Sequence, residues 1–139
     1  MSKPNIYLFG KMSGLSLEEM NGWRLQAKDI LKDNFNVINP CDYYNFEIDA
    51  DTYTDHEVKA FDLYMCKNSK ILLGNLEHPD TIGSAIEMHM SHDEWGIPVV
   101  AYGGEYKKVH PWMRLSITKW CKTLEEAVQY INEFYLPNL

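Results

Sequence analysis

The sequence predicts an α/β domain in which a parallel sheet is covered by helices on both faces. Three observations predict it. Short apolar runs alternate with longer amphipathic ones along the chain. The short runs are apolar throughout, as strands buried on both faces are. Gly10, Pro40 and Gly96 punctuate the boundaries. Five strands in 139 residues suit a flavodoxin-like three-layer sandwich, a single domain over residues 1–139 with strand order 2-1-3-4-5.

The elements follow in chain order. NIYLFG (Asn5 to Gly10) reads as a buried strand ending in a glycine loop. Ser16 to Asp33 reads as a helix: SLEE is a capping-box pattern, and Leu17, Met20, Trp23, Leu25, Ala27, Ile30 and Leu31 recur at roughly helical spacing. Phe35 to Asn39 is a second strand, stopped by Pro40. Residues 41–56 are acidic and aromatic without periodicity and read as a long loop of the kind that is often functional. Glu57 to Asn68 reads as a helix, and KILLGNL (Lys70 to Leu76) as the third strand. A helix starting near Ile82 or Gly83 ends at Gly96, and Ile97 to Tyr102 is the fourth strand. Glu105 to Leu115 is ambiguous, with Pro111 inside it. Ile117 to Cys121 is a short fifth strand, and Thr123 with Glu126 forms a capping box for a last helix.

Composition narrows the function classes. The hydrophobic fraction of 45% and charged fraction of 24% are those of a soluble globular protein. No apolar run approaches the ~20 residues that span a bilayer, and the amino-terminal apolar run is too short for a secretory signal. A cytoplasmic protein without membrane partners is expected. Three dispersed cysteines, Cys41, Cys66 and Cys121, argue against a disulfide framework and a cysteine-bound zinc. The net charge of −7 disfavours a nucleic-acid polymer as partner, because backbone binding needs clustered Lys and Arg. A single nucleotide needs only a few local donors.

In such sheets ligands bind beyond the carboxyl ends of the strands, at the switch point between the first and third. Gly10 to Gly14 and Glu77 to Ser84 occupy those ends. Glu87 then lies about one turn into the helix that opens with Gly83 and Ser84. Backbone N–H groups at a helix start favour an ionised carboxylate nearby. An ionised carboxylate beside a sugar- or phosphate-binding loop can attack an anomeric carbon. From spacing alone, a solvated first-turn glutamate fits as well. Gly83 lets backbone approach a ligand closely, and Thr81 and Ser84 supply hydroxyls at the same point. Asp62, within an apolar stretch, is a candidate second proton-handling group or a solvated helix position. Tyr7 lies in a buried strand, where its hydroxyl needs a partner.

Three segments in order, IYLFGKMSGL, AFDLYMCKNSKILLGNL and TIGSAIEMHMSHDEWGIPVVAY, resemble the nucleoside 2-deoxyribosyltransferase family, whose superfamily includes the nucleoside 5′-monophosphate N-glycosidases. The resemblance covers roughly residues 5 to 103. Its most specific block runs from Thr81 through Gly83 to Glu87. It implies a flavodoxin-like fold and cleavage or transfer at the bond between a nucleobase and (deoxy)ribose, with no metal or organic cofactor. It implies that Glu87 is the nucleophile at C1′ and forms a glycosyl-enzyme intermediate. It implies that Asp62 protonates or holds the base, and that Tyr7 positions the glutamate. Phe9, Gly10, Lys11, Ser13, Thr81, Gly83 and Ser84 would line the substrate. The partners implied are a nucleoside or nucleotide and, for transfer, a free nucleobase acceptor. Transferases of the family usually carry an aspartate where Thr81 stands. A hydroxyl there is the monophosphate hydrolases' pattern, and Lys11, Ser13 and Ser84 could add phosphate donors. The hydrolases' arginine near the place of Ser13 is absent. HPWMRLS (His110 to Ser116) resembles a segment that reaches a neighbouring subunit's site, so Met113 and Ser116 would complete a partner's pocket in a dimer or higher homo-oligomer. A non-catalytic nucleotide-binding module is the alternative from another class.

Other constellations carry less. His89 and His92, followed by Asp93, have a spacing that can hold a metal but no third ligand placed by sequence. Glu47 to Asp51 lacks the glycine and final glutamate of a calcium loop. Tyr43, Tyr44 and Phe46 can stack on a base or anchor their loop to the core.

Overall fold

The computed structural model describes residues 2–44 and 54–139. Phe46, the Glu47–Asp51 stretch and most of the expected long loop lie outside the described residues. Five strands form one all-parallel sheet: β1 (Asn5–Gly10), β2 (Asn36–Ile38), β3 (Ile71–Asn75), β4 (Val99–Tyr102) and β5 (Lys119–Cys121). Their order is β2-β1-β3-β4-β5, as the sequence predicts. Between them run α1 (Leu17–Leu31), α2 (Asp55–Lys67), α3 (Ile82–His89), α4 (Pro111–Arg114) and α5 (Leu124–Tyr130). The ambiguous stretch before β5 resolves into a 3-10 turn over Tyr106–Lys108 and the short α4, with Pro111 at its first turn, where a missing N–H does no harm. Two wider π turns, Met90–Glu94 and Ile131–Tyr135, extend α3 and α5. Among the described residues no helix is long and apolar enough to cross a membrane.

Strand alternation sorts the core into two layers. Ile6 and Leu8 of β1 face one side, where they pack with Ala27 and Leu31 of α1 and Ala127 and Val128 of α5. Tyr7 and Phe9 face the other, with Met65 and Cys66 of α2, Met88 of α3 and Met113 of α4. This alternation puts Tyr7 on the same side as α2 and α3. Phe9 pairs with Gly74 across β1 and β3. A Cβ built on Gly74 would lie 2.1 Å from the Phe9 ring. Gly74→Ala is therefore expected to destabilise the protein by roughly 3 kcal/mol, read by urea denaturation, because neither strand can move aside in a close-packed interior.

The start of α1 forms the expected capping box: Ser16 Oγ accepts from Glu19 N–H, and the Glu19 carboxylate accepts from Ser16 N–H. At α5, Thr123 Oγ1 accepts from Glu126 N–H, but Glu126 accepts from Lys122 N–H, one residue earlier than a capping box requires. The buried stripe of α1 differs from the expected one. It is Met20, Arg24, Ala27 and Leu31, whereas Leu17, Leu25 and Ile30 are exposed. Steps of four, three and four define one helix face, and residues 17, 25 and 30 fall off it. An arginine thus occupies an apolar position.

Candidate active site

The site sits where β1, α2 and α3 meet. The Tyr7 hydroxyl donates a hydrogen bond to Glu87 Oε2, across 80 residues of chain. The Cys66 thiol lies 3.7 Å from the same oxygen. Asp62 is one helical turn before Cys66 on α2, and its Oδ1 accepts from the Tyr44 hydroxyl at 2.8 Å. Glu87 is the sixth residue of α3, counted from Ile82. Glu87 is half-buried, with its carboxyl group set among Tyr7, Cys66 and Asp62.

Burial dominates the electrostatics. It pushes the Glu87 carboxyl up to about 7, with the nearby Asp62 charge adding to the rise and Tyr7, Arg24 and Cys66 opposing it. The expectation that the helix start keeps Glu87 ionised is thereby corrected. The dipole's effect is confined to the first turn, which Glu87 has passed, and desolvation outweighs it. Burial also raises Asp62 above the usual aspartate range, against the Tyr44 hydrogen bond and the Arg24 charge. It holds Tyr7 and Cys66 protonated, with the Glu87 charge adding to both rises.

Arg24 is the residue that sequence reasoning missed. It is 1% exposed, donates to the carbonyls of Met20 and, at 3.0 Å, Gly10, and stacks against Trp23. Its Nε has no partner among the described residues. The signal was available: Arg24 is four residues after Met20 and three before Ala27, inside the apolar stripe. Cys66 also joins the site: it falls four residues after Asp62 and so on the same helix face.

The remaining predicted site residues divide. Thr81 caps α3, its Oγ1 accepting from Ser84 N–H at 3.3 Å. Ser84 is 1% exposed and its hydroxyl has no partner among the described residues. Gly83 is exposed, and a Cβ there would meet nothing within 4 Å, which leaves room for a ligand at the backbone. Gly10 serves packing, because a Cβ would press to 2.9 Å from Trp23 and 3.2 Å from the Asn75 carbonyl. Phe9 is wholly buried over Gly74. Ser13 is exposed on the loop after β1. Lys11 lines a groove of about 310 Å³ with Trp23, Asn75 and Glu77 that none of Tyr7, Asp62 and Glu87 lines. Met113 is in the core layer that holds Tyr7, and Ser116 donates to Asp93 Oδ1 at 3.3 Å. Asp93 also lies 3.0 Å from His89 Nδ1 and 2.6 Å from His92 Nδ1, so the histidine pair flanks a carboxylate. Tyr43 and Tyr44 pack edge-on against Phe61 of α2, which is itself exposed, so their contact is with that helix rather than with the core. A groove of about 930 Å³ at the opposite end of the sheet, lined by Lys3, Asn36 and Lys70, contains none of these groups.

No family model matches this chain, and no curated protein sequence does. Solved structures do match. A conserved protein from Enterococcus faecalis superposes with a TM-score of 0.75 at 16% identity, over 95% of this chain and 99% of that one. A 2-deoxyribosyltransferase from Bacillus psychrosaccharolyticus gives 0.72 at 18% identity, over 94% and 93%. A 2-deoxyribosyltransferase from Leishmania mexicana gives 0.68 at 11% identity, over 95% and 99%. The class these likenesses define is a fold: the chain has a nucleoside 2-deoxyribosyltransferase-like fold, an α/β architecture around a parallel five-stranded sheet. At these identities the likeness extends to the fold alone.

Proposed function

We propose that this chain cleaves or transfers at the N-glycosidic bond of (deoxy)nucleosides or nucleotides, with Glu87 as nucleophile. The observation that carries the reading is the Tyr7–Glu87 pair: a carboxylate held by a tyrosine at the sheet's switch region, with a second carboxyl group, Asp62, within electrostatic reach. Ionised Glu87 attacks C1′ through its oxygen. The C1′–N bond breaks, its electron pair leaves with the base, and protonated Asp62 supplies the proton. A second base or water then attacks C1′, the sugar–Glu87 ester bond breaks, and the incoming group's proton returns to Asp62. Transfer and hydrolysis differ only in that second nucleophile. Two structural neighbours named as 2-deoxyribosyltransferases support the reaction class.

One observation favours a 5′-monophosphate as substrate: the buried Ser84 hydroxyl, without a partner among the described residues, offers with the open backbone of Gly83 donors to an anion at the start of α3. A homo-oligomer formed through the His110–Ser116 segment is part of the proposal: the 80%-exposed Trp112 and 75%-exposed Leu115 support it, whereas Met113 and Ser116 are buried within their own subunit. The test is chromatography of wild type and Glu87→Ala on deoxynucleosides and their monophosphates, with and without a second free base. Base release by wild type alone is expected. Equal release by both proteins, or none by either, overturns the reading.

A further inference from the structure

We propose that Cys66 is a positioning residue for Glu87: its thiol and the Tyr7 hydroxyl converge on Oε2, so that this oxygen is held from both α2 and β1 and Oε1 is left to react. The inference rests on the reading of Glu87 as nucleophile. Three observations carry it. Cys66 is 0% exposed, so the thiol has no solvent to satisfy it; the buried Ser91 hydroxyl is one neighbour, and Glu87 Oε2 lies within the thiol's reach at 3.7 Å. Both donors meet the same oxygen, and Oε1 accepts no hydrogen bond among the described residues. Cys66 follows Asp62 by one turn of the same helix, so the contact also sets the spacing between the two carboxyl groups.

The thiol is a weak donor, and it stays protonated in this buried site, so it favours the ionised form of Glu87 without replacing it as acceptor of protons. The other groups facing Glu87 are Tyr7 from β1, Asp62 from α2 and Arg24 from α1. Of these, Tyr7 and Arg24 act in the same direction as Cys66, and Asp62 acts against it. Removing the thiol therefore leaves Glu87 harder to ionise and less firmly aimed.

The test uses Cys66→Ala and Cys66→Ser in the full chain. The Glu87 carboxyl is followed by carbon-13 NMR against pH, its signal assigned with Glu87→Gln, beside kcat/KM profiles and melting temperatures. Cys66→Ala is expected to move the Glu87 titration up by about half a pH unit and to lower peak kcat/KM about threefold. Cys66→Ser, a stronger donor, is expected to move the titration below the wild-type position and to keep kcat/KM within about twofold of wild type. A Glu87 titration unchanged in both variants overturns the proposal. So does a serine variant that titrates like the alanine variant. A shifted titration in a protein that turns over no nucleoside supports the contact and removes the glycosidic reading instead. Should the alanine variant melt below the assay temperature, the serine variant alone decides, by whether its titration departs from wild type.

Discussion

Glu87→Gln is expected to abolish turnover, on the order of 10⁴-fold, and at the same time to stabilise the protein above neutral pH. The two effects have one cause, a carboxylate that burial makes hard to ionise. Its folded-state titration near 7 stands above the ordinary value of 4.5. Below about pH 4.5 the group is neutral in both folded and unfolded chains and costs nothing. As pH rises towards 7 the unfolded chain loses the proton while the folded one keeps it, so stability falls. Above 7 the deficit is constant and on the order of 3 kcal/mol. Glutamine keeps an oxygen that accepts from Tyr7 and carries no charge. Urea denaturation at pH 5 and pH 8 should show wild type losing stability between the two and the variant changing little. A variant no more stable than wild type at pH 8 would mean that the carboxyl group is not desolvated.

The second large effect is in the pH profile of kcat/KM. The reaction as proposed needs one proton on the pair: Glu87 ionised and Asp62 protonated. The shifts run the other way, because Glu87 is raised further than Asp62. The reactive arrangement is then a minor form of the singly protonated pair, and both titrations belong to the pair. The expected profile is a bell. Its alkaline side falls near pH 7, set by loss of the last proton, and its acid side lies above the usual aspartate range. A profile that instead rises through 7 to a plateau would assign the base's proton to a source other than Asp62 and leave that aspartate holding the base.

Much of the frame was legible in the sequence, and the reasons are local. NIYLFG forms the strand it predicts because an apolar run between a proline and a glycine has few alternatives. SLEE forms its capping box because the pattern satisfies its own N–H groups within four residues. The parallel sheet followed from apolar strands alternating with helices, and its order from the flavodoxin-like arrangement that five such strands suit. Boundaries were less secure: α2 begins at Asp55, two residues early, because Thr54 caps it. What could not be read depends on tertiary placement. The Tyr7–Glu87 contact joins residues 80 apart, and no local spacing encodes it. Nor does spacing reveal that Glu87 is desolvated rather than favoured by its helix. Arg24 was hidden by the assumption that a charged residue leaves the apolar face, yet its guanidinium reaches two backbone carbonyls that satisfy it in part. The roles of Thr81 and Gly10 as cap and packing position emerge only once Ser84 and Trp23 are in place.

The most direct test of the account is the mass of the protein during turnover. Wild type is mixed with the nucleoside or nucleotide it cleaves best, without an acceptor base, quenched in acid, and measured intact and after proteolysis. The account predicts a mass increase equal to the sugar moiety, located on the peptide that carries Glu87 and absent from Glu87→Gln. Base release with the label on another residue, or base release that survives Glu87→Gln, would contradict it.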